Sequence, residues 1–249
     1  MNDTLQNIKT VSKRELSGYF ASPVAYVFIV IWLLLNGFFT FSLGGFFEMG
    51  QASLTMSFFR WHPWLYLFLV PAVGMRLWSE ERRLHTLELL LTMPITPWQA
   101  IVGKFIASWL FLIIALALTF PVVITVCYLG DADVGEIFTG YVGSALLAGG
   151  YLAVTSMTSA MTRNQVVAFV LDCAICFLFT VSGTSIVLNF FSGWAPRLVV
   201  ETVASFSFMT HFQAITRGVI DLKDVVFFGS LIALCLYANV VLVEWKKGG

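Results

Sequence analysis

Long apolar runs separated by short charged segments dominate the chain. A membrane-spanning helix needs about 20 mostly apolar residues, because the hydrocarbon core is about 30 Å thick and each helical residue rises about 1.5 Å. No Asp, Glu, Lys or Arg falls between Glu15 and Glu48, between Lys104 and Asp131, between Glu136 and Arg163, or between Asp224 and Glu244. These four gaps predict four spans. Two noisier stretches predict two more, one near 58–79 that carries Arg76 towards its end and one near 165–188 that carries Asp172. The expected fold is all-α, a single polytopic domain with six transmembrane helices at about 23–46, 58–79, 98–128, 138–161, 165–188 and 222–243.

Ahead of the first span, residues 3–20 read as a helix lying on the membrane. Leu5, Ile8, Val11, Leu16, Tyr19 and Phe20 share half of the helical wheel, with Lys9 and Glu15 intruding, and Pro23 turns the chain inward. A polar tail is the alternative for this segment. In the fourth span, Gly140, Ser144 and Ala148 form one ridge of small residues and Ala145, Gly149 and Ala153 another. Small residues let helix backbones approach in lipid, either within one chain or at a dimer face. The outer segment 186–221 is aromatic, with Phe190, Phe191, Trp194, Phe206, Phe208 and Phe212, but Ser192-Gly193, Pro196 and Arg197 break it. It is expected to dip in and return as a re-entrant helical segment, or to lie flat at the interface.

Composition supports the membrane reading: 59% of residues are apolar and only 11% charged, against roughly 25% charged in soluble domains. With 14 basic and 14 acidic residues there is no net charge, so nucleic acid is not an expected partner. Position therefore matters more than sum. On six spans, ten cations (Lys9, Lys13, Arg14, Arg76, Arg82, Arg83, Lys104, Arg163, Lys246, Lys247) fall on the side of the termini, and four (Arg60, Arg197, Arg217, Lys223) fall opposite. The positive-inside bias makes both termini cytoplasmic. The first apolar run is too long for the core of a cleavable signal peptide. Cys127, Cys173, Cys176 and Cys235 all lie in apolar runs and imply no disulfide framework.

The chemistry concentrates between Arg76 and Lys104. Arg76 and Glu80 stand one helical turn apart and are expected to pair, and Glu81, Arg82 and Arg83 extend the charge cluster. Leu84, Leu87, Leu90 and Leu91 then recur at helical spacing, as in a short helix lying in the membrane plane with Thr86 and Glu88 turned outward. Pro94 stops it. Thr96-Pro97-Trp98-Gln99 reads as a capping box that opens the next span.

Over these residues the chain resembles the type-2 permeases of ATP-binding-cassette (ABC) exporters, whose second span runs into E-E-R/K-x-x-G-T-x-E-x-L-L-x-x-P followed by G-K. Glu80, Glu81, Arg82, Arg83, Thr86, Glu88, Leu89, Leu90, Pro94, Gly103 and Lys104 fit that pattern, while His85 stands in place of the usual Gly. The run from Phe208 to Asp221 resembles the gliding-motility-type branch. The resemblance implies that Glu80 to Pro94 includes a coupling helix that docks on a separate cytoplasmic ABC ATPase. It also implies a homodimer or heterodimer with a second permease, an accessory subunit with a periplasmic domain, and a bacterial inner membrane. The chain has no G-x-x-x-x-G-K-[ST], since Phe105 follows Gly103-Lys104. No cofactor is expected in this chain, with ATP and Mg belonging to the partner ATPase.

Other classes are weighed on single residues. Asp172, about 10 Å into its helix, could serve a proton-coupled secondary transporter. The plainer reading is an acid that is protonated or pairs with Arg76 or Lys104. His62 and His211 could ligate haem, but neither lies deep in a span and no Cys-x-x-Cys-His occurs. Cys173-x-x-Cys176 lacks access to water. No nucleophile, base and orienting group share one depth, so neither catalytic nor metal-ligating residues are expected.

Overall fold

The computed structural model describes residues 2–49, 53–84, 95–130, 132–192 and 196–245. All regular structure in them is helical. Helix α1 is Asn2–Ala21, and α2 (Pro23–Phe38) continues through a π segment, Phe39–Leu43. The short α3 (Phe46–Met49) and α4 (Leu54–Ser57) lead through the 3-10 turn Phe59–Trp61 to α5 (His62–Gly74) and α6 (Arg76–Arg83). Then come α7 (Pro97–Ala117), α8 (Phe120–Leu129), α9 (Val134–Met161) and α10 (Gln165–Val181). Three short helices, α11 (Ser185–Ser192), α12 (Arg197–Ser205) and α13 (Phe208–Ile215), precede α14 (Leu222–Trp245).

The capping box expected at Thr96 is in place, and a second cap opens α2. Ser22 caps α2 by accepting from Val24 N–H, with Pro23 in its first turn. Thr96 and Gln99 form the reciprocal capping box of α7: the Thr96 Oγ accepts from Gln99 N–H and the Gln99 Oε1 from Thr96 N–H.

Helix α9 is the centre of the bundle. Of its most apolar window 72% is buried, against 22 to 33% for the other three long apolar helices. Its small residues are used within the chain: Gly140 meets the Phe59 ring, Gly143 meets Ile215, Gly149 lies between Trp109 and Ile232, and Gly150 meets Phe228. Helix α7 runs antiparallel to it, the Trp109 Nε1 donating to the Ala145 carbonyl at 2.8 Å. Helix α14 runs parallel to it, and so does the α5–α6 pair, with the Tyr151 hydroxyl donating to the Pro63 carbonyl at 3.0 Å.

Six spans are corrected to four. Among the described residues, four helices are long and apolar enough to cross a membrane: Pro23–Glu48, Pro97–Leu129, Val134–Met161 and Leu222–Trp245. The stretch 58–79 is broken by a 3-10 turn and again at Met75, which leaves α5 with 13 residues. That is about 20 Å, short of the roughly 30 Å core. The apolar residues of α5 are mostly buried by neighbouring helices. The stretch 165–188 yields α10, with 17 residues, and ends where Gly183 presses on Ser207 and Thr210. The outer segment 186–221 is no re-entrant pair either. Among the described residues it holds three short helices, of which α13 inserts Phe208, His211, Phe212 and Ile215 into the bundle.

Helix α1 covers the expected 3–20 closely, and it is packed on a neighbouring helix of the same chain. Its apolar face runs along α7: Val11 fits over Gly103, Ser12 Oγ donates to the Gly103 carbonyl at 2.9 Å, and Tyr19 stacks on Phe111 with centroids 5.0 Å apart.

The α9 packing makes a paired prediction. A Cβ on Gly140 collides with the Phe59 ring, whereas one on Gly37 meets nothing within 4 Å. Gly140→Val is expected to lower the melting temperature in detergent by many degrees or to abolish folded yield, as overpacking costs about 1–3 kcal/mol or more. Gly37→Ala is expected to leave the melting temperature unchanged or to raise it modestly, through a stabilisation of up to about 1 kcal/mol. Differential scanning fluorimetry of the two variants beside wild type checks both.

Candidate coupling site at the charged end of the bundle

The break at Met75 is held open by α9. The Ser159 Oγ accepts from the backbone N–H groups of Trp78 and Ser79, each at 3.2 Å, and donates to the Met75 carbonyl at 2.9 Å. One hydroxyl thus satisfies the backbone groups that the chain frees where α5 ends and α6 begins. Next to it, the Ser156 Oγ accepts from the Trp78 indole at 3.2 Å and from the Asn239 amide of α14 at 2.7 Å. Helix α6 is therefore fastened to α9, and through Ser156 to α14, at buried positions.

Lys104 of α7 makes the third attachment. Its Nζ lies 2.6 Å from Glu81 Oε1 and 3.4 Å from Glu15 Oε1, above the Trp78 ring at 5.5 Å from its centroid. The side chain is buried, whereas both carboxylates retain some solvent contact. Breaking such a pairing is costly, because the buried ammonium would be left with neither water nor a counter-charge. Arg14 joins the cluster at 3.1 Å from Glu15. On the other flank, the Arg82 Nη1 donates to the Ala160 carbonyl at 2.7 Å and places a cation at the C-terminus of α9. Burial, and then the like charge of Arg163, lowers the Arg82 pKa from its usual value.

Tyr19 closes the side towards α1. Its hydroxyl donates to Ser108 Oγ, which itself donates to the Lys104 carbonyl at 3.0 Å. Burial pushes the Tyr19 phenol up to about 12, partly offset by the Ser108 bond.

The sequence expectations meet this geometry unevenly. Glu80, Glu81, Arg82 and Arg83 are gathered on α6, but Thr86, Glu88 and Pro94 lie outside the described residues. The expected Arg76–Glu80 pair does not form: Glu80 lies 3.9 Å from Arg83, and Arg76 makes no ion pair among the described residues. Nor does Asp172 pair with Lys104 or Arg76. Its side chain is buried, and both carboxyl oxygens lack a hydrogen-bond partner among the described residues. Glu15, Ser156, Ser159 and Asn239 were not anticipated as parts of the site. Only Glu15 had left a sign, as the acid interrupting the apolar face of α1.

The two histidines occupy different surroundings, and the buried His62 Nε2 has no hydrogen-bond partner among the described residues. His62 sits among Trp32, Phe58, Phe59 and Tyr66, its Nδ1 2.7 Å from Ser144 Oγ. The Ser144 hydroxyl also lies 2.8 Å from the Gly140 carbonyl of its own helix. His211 bridges Asp224 Oδ1 at 2.6 Å and the Ser205 carbonyl at 2.9 Å, which ties α13 to the start of α14.

A model of the ABC-2 family transporter proteins matches residues 65–243. The chain belongs to the ABC-2 transporter family. No curated protein matches it. The matched region takes in α6, Lys104, Ser156, Ser159 and Asn239, while α1 and α2 precede it. The chain is accordingly a membrane permease of a transporter family and not an enzyme. Among the described residues, no group of three or more His, Cys, Asp or Glu could hold a metal ion.

Two variants test the electrostatics of the permease. Lys104→Met leaves Glu15 and Glu81 facing an apolar side chain and is expected to destabilise by about 2 kcal/mol, between the roughly 1 kcal/mol of an exposed pair and the roughly 3–5 kcal/mol of breaking a fully buried one. Adding Glu81→Gln should restore part of the loss, which a double-mutant cycle in thermal unfolding measures. Asp172→Leu removes an unpartnered buried carboxyl and is expected to hold or raise the melting temperature. A fall of more than about 5 °C, several times a typical surface effect, would show that the carboxyl is held by a partner.

Proposed function

We propose that this permease is the membrane subunit of an ATP-binding-cassette exporter and that a separate cytoplasmic ATPase drives it through the segment Glu80 to Pro94. The attachment of α6 carries this reading. A load applied just beyond Arg83 reaches α7 through Glu81 and Lys104. It reaches α9 through Arg82 and the Ser159 hydroxyl, and α14 through Ser156 and Asn239. A short charged helix gripped by three long helices moves them as a body, which is what rigid-body switching between two arrangements needs.

In this reading Glu80, Glu81, Arg82, Arg83, Thr86, Glu88 and Pro94 form or position the docking surface, with the exposed charges setting the register of the partner. ATP and Mg bind in the ATPase. The permease works as a homodimer or with a second permease, in a bacterial inner membrane with both termini cytoplasmic. Charge supports that orientation: the run through α5 and α6 follows α9 from Gly140 to Ala160 and so returns the chain to the end where α1 meets α7, which gathers Arg14, Arg76, Arg82, Arg83 and Lys104 at one end of the bundle. An accessory subunit with a periplasmic domain, and the gliding-motility-type branch, are further parts of the proposal that rest on the run from Phe208 to Asp221. Asp172 is not assigned a proton-relay role, since a relay needs titratable neighbours within hydrogen-bond reach and its oxygens have none among the described residues.

The test is to tag the C-terminus, extract the native complex in mild detergent, identify the co-purifying chains and measure ATP hydrolysis. A soluble subunit with a nucleotide-binding loop is expected in near-equal amount. Glu88→Lys is expected to leave membrane insertion intact and to reduce permease-stimulated ATP hydrolysis to the basal level. Undiminished stimulation in that variant would remove the docking role of the segment.

A further inference from the structure

A groove of about 520 Å³ opens between α1–α2 on one side and α5–α7 on the other. This lies within the roughly 300–1,000 Å³ of small-ligand sites. Its two ends differ in chemistry. The end near α6 is lined by Glu15, Arg76, Glu80, Glu81 and Lys104, and the rest by apolar side chains such as Val27, Ile31, Leu69 and Val73. Val27 and Ile31 are also exposed on the outer surface of α2, itself part of one of the four long apolar helices. The apolar end is thus continuous with the exposed apolar surface of a helix long and apolar enough to cross a membrane.

The charges at the polar end are not equally satisfied. Lys104 takes Glu81 and Glu15. Arg76 has no ion pair among the described residues, and Glu80 has only the 3.9 Å contact with Arg83, in which both side chains are well exposed. Arg76 and Glu80 stand one turn apart on α6, so the groove offers an unpaired guanidinium and a weakly held carboxylate side by side below an apolar slot. Guanidinium binds phosphate through paired N–H donors. The carboxylate adds a preference for a cation beside that phosphate.

We propose that this groove is a site for a zwitterionic glycerophospholipid with an ethanolamine headgroup. The phosphate lies on Arg76, the ammonium towards Glu80, and one acyl chain between α2 and α5. Arg76 and Glu80 are four residues apart, about 6 Å along the helix axis, which a phosphate and an ammonium joined by a two-carbon link can bridge. Entry is lateral from the bilayer, so no tail crosses water. The site is adjacent to the Lys104–Glu81 pair, but its occupancy is a property of the permease alone and does not depend on the ATPase reading.

The experiment uses the full chain, delipidated in detergent, with melting temperature followed as four probes are titrated: phosphatidylethanolamine, phosphatidylglycerol, diacylglycerol and inorganic phosphate. Phosphatidylethanolamine is expected to raise the melting temperature with a half-saturation at least tenfold below that of phosphatidylglycerol, while diacylglycerol and inorganic phosphate are expected to do nothing. Arg76→Gln should weaken both phospholipids about tenfold. Glu80→Gln should weaken only phosphatidylethanolamine and so erase its advantage. Val27→Trp, at the exposed rim, fills the slot without entering the core and should abolish the response even if a more buried substitution misfolds. Equal responses to both phospholipids in wild type, a response to diacylglycerol or phosphate of the same size, or indifference to Arg76→Gln would each overturn the assignment.

Discussion

Helices in lipid gain little by bringing apolar side chains together, because the lipid tails are as apolar as they are. What holds such helices is close backbone approach and hydrogen bonding between them, and here both depend on α9. Its glycines and serines let Phe59, Ile215, Trp109, Ile232 and Phe228 press against its backbone. Its hydroxyls at Ser144, Ser156 and Ser159 reach His62, Trp78 and the Met75 carbonyl. A larger residue along this helix would push neighbours away and lengthen those bonds at the same time. The rest of the bundle is arranged around that one small-residue surface.

The charged end follows from the same constraint. Where α9 ends, its last carbonyls need donors, and Arg82 supplies one at Ala160. The close approach of α6 that brings Arg82 there also brings Glu81 to Lys104, and α1 closes the cluster with Glu15. Packing and electrostatics are therefore one system. Moving α6 strains ion pairs and α9 contacts together, which suits a segment proposed to transmit force. The groove beside it sets Arg76 next to the apolar side chains of α2 and α5.

Much of this was legible in the chain. The four uncharged gaps correspond to the four long apolar helices, because a run of apolar residues of spanning length has few other homes. The capping box at Thr96 and Gln99 was readable for a local reason, since both partners lie within one turn. The motif from Glu80 to Lys104 pointed to the family to which the chain belongs. The ridges of small residues on α9 were visible too, but whether they served this chain or a dimer depended on what stood opposite them.

Hydropathy alone could not tell α5 from a span, because Leu65, Leu67, Val70 and Val73 count the same whether lipid or protein covers them. The tertiary structure covered them with protein and broke the run at Met75, using a hydroxyl 84 residues away in sequence. It also chose Arg83 over Arg76 as the neighbour of Glu80 and gave Lys104 to Glu81 and Glu15 in preference to Asp172. Local sequence determined helix ends, apolar length and the charged motif, since those are settled within a few residues. Which charge meets which, and which apolar face meets protein, waited on how the helices came together around α9.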